Sequence, residues 1–164
     1  MIAAISYKLG NTMRTLGVEI TGSEAMLCLL TKENDVFDIR DIRQTRFTLP
    51  NIGQDQEAMR KFHFDLSKLV EDYQIDTIAI RQRAHKGKFA GSAAGFKMEA
   101  AFQLIDNAEV HLLNATEVKE QIKRNPVPVD YADTGLRKYQ EQAFTNAYVL
   151  IMRKTYGHDV EEQA

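Results

Sequence analysis

Hydrophobic and polar residues follow the pattern of three β-strands over the first third of the chain. A compact apolar run at residues 15–20 ends at Thr21-Gly22-Ser23, where glycine and serine favour a turn. A second apolar run, residues 24–31, ends at a polar stretch, and residues 36–49 alternate before Pro50. The pattern predicts three consecutive antiparallel strands.

Farther along the chain, apolar residues at three- and four-residue spacing alternate with short β-branched runs. The spacing predicts amphipathic helices at residues 55–73, 88–107 and 134–154. Asn114 is placed to cap a further short helix, with Glu117 completing a capping box, and Pro126 and Pro128 end it. Asp133 or Thr134 is available to cap the last helix. Two short apolar segments, residues 77–80 and 110–113, are typical of buried strands.

This order of elements predicts one α/β domain with a five-stranded mixed sheet. The sheet combines a three-strand antiparallel meander with two parallel strands, and helices cover both faces. Residues 77–80 are expected at a central position, between the strands that contain Glu19 and Val110. We expect the domain to span residues 13–154, after a flexible leader (1–12, with Met13 a candidate start) and before a polar tail (155–164).

Composition and charge narrow the classes of function. The 164 residues are 44% hydrophobic and 27% charged, which excludes bulk disorder. The formal net charge of −2 means that a polyanion needs a local basic patch to bind. Cys28, the only cysteine, lies in an apolar run, so it is expected to be buried. With no signal peptide or membrane-spanning stretch, we expect a cytoplasmic protein with no membrane partner.

The first predicted strand and its turn, Leu16-Gly17-Val18-Glu19-Ile20-Thr21-Gly22-Ser23, resemble the opening strand of RuvC-like Holliday-junction resolvases. Glu19 takes the acidic position of that strand, and the similarity extends through residues 76–105 and 110–151. The resemblance implies the ribonuclease H-like fold. It also implies a two-metal nuclease, in which clustered carboxylates hold two Mg²⁺ ions, as the activity of the family.

The chain departs from the family pattern at the remaining acidic positions. Arg81 stands where the second acid is expected, at the end of the central strand, and a guanidinium repels a metal ion. In the last helix the best match is the neutral Asn146, with Glu141 offset from it. Glu19, Glu141 and Asn146 are therefore the catalytic candidates, and Glu19 is the one metal-ligand candidate. An equally favoured interpretation makes Glu19 a structural residue paired with Arg81.

A basic run leads from the central strand into the next helix. It contains Arg81, Arg83, His85, Lys86 and Lys88. Positive side chains before a helix N-terminus favour an anion such as a nucleic-acid phosphate. The alternative is a solvated loop, and either way we expect residues 83–88 to be exposed and mobile.

Three functions remain open. The leading hypothesis is a non-catalytic module that binds a nucleic acid or a protein partner around Glu19, Arg81 and Asn146. A divergent Mg²⁺-dependent nuclease requires acids from elsewhere, and the candidates are Glu99, Glu141, Asp130 and Asp133. A phosphate-binding half-domain of the actin or sugar-kinase type ranks last, on the likeness of residues 19–23 to a phosphate loop.

Small residues and histidines add two further expectations. Gly91 and Gly95 lie one helical turn apart in the predicted helix at residues 88–107. This helix therefore forms either a homodimer contact or a close intramolecular contact. The four histidines are scattered and have no partners at zinc-ligand spacing, so none is assigned to a metal.

Overall fold

The computed structural model describes residues 12–86 and 91–157, which form a mixed sheet covered by helices. The strands in this part of the chain are β1 (Thr12–Thr21), β2 (Glu24–Glu33), β3 (Val36–Arg40), β4 (Arg46–Thr48), β5 (Thr77–Arg81) and β6 (Glu109–Leu113). The α-helices are α1 (Gln56–Asp72), α2 (Ala93–Gln103), α3 (Ala115–Arg124) and α4 (Glu141–Met152). Short 3-10 segments occupy Pro50–Gly53, Tyr131–Thr134 and Lys138–Gln140, and a π-helical turn, Arg153–Gly157, follows α4.

The sheet has the strand order β3-β2-β1-β5-β6. Strand β4 also pairs with β2, along a different part of that strand from the part that pairs with β3. The first three strands are antiparallel, while β5 runs parallel to both β1 and β6. The predicted fold class is confirmed, and so is the position of residues 77–80 between the strands that contain Glu19 and Val110.

The third predicted strand is wrong in one respect, because residues 36–49 form two strands rather than one. The chain leaves the sheet after Arg40 and is held by the end of α1. The backbone N–H of Arg43 donates to the Tyr73 hydroxyl at 2.7 Å, and the Arg43 guanidinium binds Asp72 at 2.7 Å. The alternating pattern contains no signal of this long-range anchor.

The two faces of the sheet bury different sets of residues. Leu16, Val18 and Ile20 of β1 point towards α1 and α2, where Phe62 and Phe102 pack edge to face at 6.0 Å between ring centroids. The opposite face is covered by α4, which packs on Cys28 and Leu30 of β2. Cys28 is buried as predicted, and burial raises the pKa of its thiol to about 12.

The helix ends follow the capping chemistry of the sequence in two cases and depart from it in a third. The Asp55 and Asn114 side chains cap α1 and α3, accepting hydrogen bonds from the backbone N–H groups of Ala58 and Glu117. The last helix begins at Glu141 rather than near residue 134, because Gly135 adopts a φ of +77° that ends the preceding turn. Neither predicted cap of that helix is therefore used.

The predicted division into a domain, residues 13–154, and two flanking segments stays a prediction. Strand β1 begins at Thr12, which the sequence assigned to the leader. Residues 1–11 and 158–164, most of the predicted leader and tail, lie outside the described residues. Within residues 12–86 and 91–157, no helix has the length and apolar character required to cross a bilayer.

Candidate functional site: a cationic cleft at the carboxyl ends of the central strands

The carboxyl ends of β1, β5 and β6 meet at one edge of the sheet, because the three strands are parallel. A cleft of about 400 Å³ opens there. We call it the central cleft, and it is lined by Glu19, Ile20, Arg81, Gln82, Arg83, Ala84, Asn114, Ala115 and Gln142. It lies where open α/β sheets commonly bind ligands, outside the carboxyl ends of their strands.

Glu19 enters the central cleft from β1. Its neighbour Val18 pairs with Ile80 of β5, and both are buried against α1 and α2. Because side chains alternate along a strand, Glu19 and Arg81 both point to the α4 face. Burial raises the pKa of the Glu19 carboxyl above its ordinary value, and the charges of Arg83 and then Arg81 oppose that shift.

Among the described residues Glu19 forms no direct ion pair with Arg81, and the predicted alternative, a pairing through water, stays a prediction. Arg81 ends β5 with an exposed side chain, while Glu19 is half-buried. The two residues line the same cleft, as expected, but the larger electrostatic influence on Glu19 comes from Arg83.

Arg83 is the residue whose role the sequence did not show. Its guanidinium donates a hydrogen bond to the carbonyl oxygen of Ile20, and its backbone N–H donates to Oε2 of the buried Glu99 at 2.9 Å. The expectation of a fully exposed segment is therefore wrong at Arg83, which is half-buried. These bonds hold the segment after β5 against the end of β1.

Gly91 makes room for the Arg83 side chain. A Cβ on Gly91 would lie 2.9 Å from Nε of Arg83, whereas one on Gly95 would lie at an ordinary contact distance of 3.5 Å from the same atom. Gly95 and Met98 are buried inside the subunit. The four-residue glycine interval therefore accompanies an intramolecular contact at Gly91, and a homodimer contact through this helix stays a prediction.

Asn146 presents an amide where the resemblance implies an acid, and Gln142 places a second amide beside it. Asn146 is fully buried, and its Nδ2 donates to the carbonyl oxygen of Val18 at 2.8 Å. Its Oδ1 accepts from Nε2 of Gln142 at 3.0 Å, and Gln142 in turn lines the central cleft. Asn146 thus fastens α4 to β1, and both of its amide atoms are engaged within the protein.

The other acids proposed for a nuclease do not converge on Glu19. Glu141 is exposed and lies near Tyr131, where burial is the main cause that raises the pKa of the tyrosine hydroxyl and the Glu141 charge is a smaller one. Asp130 precedes and Asp133 belongs to the 3-10 segment that contains Tyr131, and the Glu99 carboxylate accepts a hydrogen bond from the backbone N–H of Arg83. Among the described residues there is no group of three His, Cys, Asp or Glu side chains that could hold a metal. The donor set around Glu19 therefore does not fit a two-metal centre.

The remaining basic residues lie beyond Arg83. His85 is exposed and its ring packs on Phe96 at 5.3 Å between centroids, while Lys86 is also exposed. The backbone N–H of Gly91 donates to the Ala84 carbonyl at 2.8 Å, so the loop is closed at its base. Lys88 lies outside the described residues, and the predicted mobility of the loop stays a prediction.

Comparisons with known proteins bear on the family and the fold of the chain. The model of a family described as "Protein of unknown function (DUF3010)" matches residues 13–150. No curated protein sequence matches the chain.

Among solved structures, RuvC of Thermus thermophilus is similar with a TM-score of 0.68 at 10% identity, covering 88% of this chain and 97% of its own. The same enzyme in complex with a Holliday junction substrate gives a TM-score of 0.64 at 12% identity over the same shares. The yeast mitochondrial Holliday junction resolvase gives 0.52 at 9% identity, covering 93% of this chain and 85% of its own. These likenesses establish the RuvC-like, ribonuclease H-like fold.

Proposed function

The chain belongs to the DUF3010 family, and we propose that it is a nucleic-acid-binding module that works without the two-metal chemistry of the RuvC-like nucleases. The observation that carries this proposal is the charge of the central cleft. Two guanidinium groups, Arg81 and Arg83, face one carboxylate, Glu19, and the amide of Gln142 completes the wall. Such a cleft attracts an anion and repels a divalent cation.

The surroundings of the cleft favour phosphate as the anion. The first residues of α3, Asn114 and Ala115, line the cleft, and the positive end of a helix dipole stabilises negative charge. Exposed Lys86 and His85 extend the positive surface beyond Arg83. Because the whole chain carries a net charge of −2, this local patch is the feature that supports binding of a polyanion.

The fold suggests which nucleic acid to test first. A protein of the same fold, RuvC of Thermus thermophilus, has been solved in complex with a Holliday junction substrate. A branched DNA is therefore the first ligand class that we propose for this chain. Recognition through phosphates alone carries little sequence information, so we expect affinity to depend on DNA shape more than on base sequence.

Binding is tested by fluorescence anisotropy with a four-way junction, a duplex and a single strand, each over a series of salt concentrations. Arg81→Gln is expected to weaken binding and to lower the slope of log affinity against log salt by about 1. Arg60→Gln on α1 is the matched control, since it removes the same charge from an exposed side chain outside the cleft. Equal losses for the two variants would contradict the proposal.

The metal question is tested separately by titrating Mg²⁺ and Mn²⁺ calorimetrically and by incubating the same three DNAs with each ion. We expect neither micromolar metal binding nor cleavage, because one carboxylate beside two guanidinium groups cannot replace an acidic cluster. Cleavage that requires Mn²⁺ and disappears in Glu19→Gln would replace our proposal with the divergent nuclease.

A further inference from the structure

The outer edge of β3 is open, because β3 is the last strand on its side of the sheet and no strand in the described part of the chain pairs with that edge. The turn between β2 and β3 has two residues, so Glu33 and Val36 form a hydrogen-bonded pair. Such pairs alternate along an antiparallel ladder, so the backbone N–H and C=O groups of Phe37 and Ile39 point away from β2. An edge of this kind is a template for another strand.

Side chains along β3 alternate between an apolar face and a charged face of the sheet. Phe37 and Ile39 are half-buried on the side of α4, and the Tyr148 ring packs on Phe37 at 5.5 Å between centroids. Asp38 and Arg40 are exposed on the opposite face, where Nε of Arg40 lies 3.1 Å from the Asp38 carboxylate. The strand has no proline or lysine to block its edge, and it pairs with β2 in an unbroken register. Its two charges oppose edge pairing unless the incoming strand carries the opposite charges in register.

Charge selects one register in which β3 can pair with β3 of a second copy of this chain. In an antiparallel two-fold pair centred on Ile39, Asp38 of each copy lies opposite Arg40 of the other, and facing opposite charges stabilise a strand pair. A pair centred on Asp38 sets two carboxylates opposite each other, which destabilises it. A pair centred on Phe37 sets Asp38 opposite Val36 and forms no charge pair. Among these registers, β3 is complementary to itself only when Ile39 is at the centre.

An apolar cavity beside the open edge provides further surface for a second copy to cover. The cavity has a volume of about 390 Å³, and its lining includes Phe37, Ile39, Val127 and Val129. Val129 is 52% exposed, so the described part of the chain leaves much of its side chain uncovered. Directly opposite residues of paired strands share a face of the sheet, so the two cavities would adjoin on the α4 side. Strand pairing in this register would therefore bury apolar surface in addition to joining the backbones.

We propose that the open edge of β3 is a self-association surface, through which two copies of this chain join their sheets in the register centred on Ile39. The two Ile39 residues exchange both of their backbone hydrogen bonds, and two Asp38–Arg40 pairs between the copies flank them on the charged face. The strand overlap is short, so the dimer is weak and reversible, with a dissociation constant of roughly 100 µM. The proposal does not rest on nucleic-acid binding, because these residues lie outside the central cleft.

Sedimentation velocity of the full chain, over a concentration range of about 10 µM to 1 mM, measures the association. We expect the chain to change from monomer to dimer across this range. Hydrogen exchange supplies a second measurement, in which the outward-pointing amide of Ile39 should exchange more slowly at the high concentration. The amide of Asp38, which already points towards β2, should change little. A chain that stays monomeric at the highest concentration would refute the proposal.

Two charge-reversing variants test the register. Asp38→Arg and Arg40→Asp should each raise the dissociation constant by roughly tenfold or more, because each sets like charges opposite one another in the paired strands. An equimolar mixture of the two variants should associate again, since every facing pair in the mixed dimer then has opposite charges. This recovery also shows that neither variant lost its association by failing to fold.

Asp106→Arg and Arg60→Asp are the matched controls, because they make the same changes of charge at exposed positions outside β3. Each control should associate as the unmodified chain does, alone and in the mixture. A dimer that persists in both β3 variants would assign the association to another surface and overturn the proposal. Failure of the mixed β3 variants to associate would exclude the register centred on Ile39.

Discussion

Gly17 of β1 lies directly against Ala143 of α4, so that a Cβ on Gly17 would be only 1.8 Å from the carbonyl oxygen of Ala143. The helix backbone therefore packs on the strand without an intervening side chain. This close approach brings Asn146 within 2.8 Å of the Val18 carbonyl and places Gln142 in the central cleft beside Glu19. The composition of the cleft thus depends on a glycine that lies outside it.

Gly17→Ala is expected to lower the free energy of unfolding by about 3 kcal/mol, because α4 has to move away from β1. Equilibrium unfolding in urea measures the loss. Gly135→Ala is the matched control, since a Cβ there meets no atom within 4 Å and the cost of about 1 kcal/mol comes only from its φ of +77°. A smaller loss at Gly17 than at Gly135 would contradict the close packing.

Glu19→Gln is expected to stabilise the protein at neutral pH and to have no such effect in acid. The pKa of Glu19 is raised in the folded state, so the folded protein holds this proton more tightly than the unfolded chain. The stabilisation that the protonated carboxyl provides is fully present below the ordinary pKa of 4.5. It is lost as the pH rises through the raised pKa of the folded protein. Thermal unfolding of both proteins between pH 4 and pH 8 measures the difference. Glu120→Gln, exposed on α3, controls for the change in net charge.

Arg81→Gln and Arg83→Gln should have similar effects on DNA binding but different effects on the free energy of unfolding. Both variants remove a cation from the cleft, and both should weaken DNA binding. Arg83→Gln should also lower the free energy of unfolding by roughly 1–2 kcal/mol, because it removes the hydrogen bond to the Ile20 carbonyl. Arg81 is exposed, so its replacement should change stability by less than about 0.5 kcal/mol. Equal destabilisation in urea would show that Arg83 has no anchoring role.

Asn146→Asp should destabilise the protein by about 2–3 kcal/mol rather than create a metal site. The carboxylate cannot donate to the Val18 carbonyl, and it would be buried without a compensating cation. Urea unfolding with and without 5 mM Mg²⁺ measures both effects. Recovery of the lost stability on addition of Mg²⁺ would contradict the incompatibility of this cleft with metals.

Local sequence patterns were sufficient for much of the fold. Alternation and helical spacing located the meander, the central strand and most of α1, because burying one face of an element imposes its period on the sequence. Side-chain caps such as Asn114 act within three residues, so they were also visible. The start of α4 and the split between β3 and β4 depend on Gly135 and on the Arg43–Tyr73 contact, which periodicity does not encode.

The sequence by itself placed Arg81 and Asn146 at positions where the resemblance to RuvC-like resolvases led us to expect acids, since the residue at a position is known without coordinates. Only the tertiary structure decided what these residues contact. Glu19 is influenced more by Arg83 than by Arg81, and Asn146 bonds to the strand instead of facing a ligand. Gly91 lies against the Arg83 side chain, where a Cβ would crowd Nε. Electrostatic and hydrogen-bonded contacts depend on distances in space, and here they join residues as far apart in the chain as Val18 and Asn146.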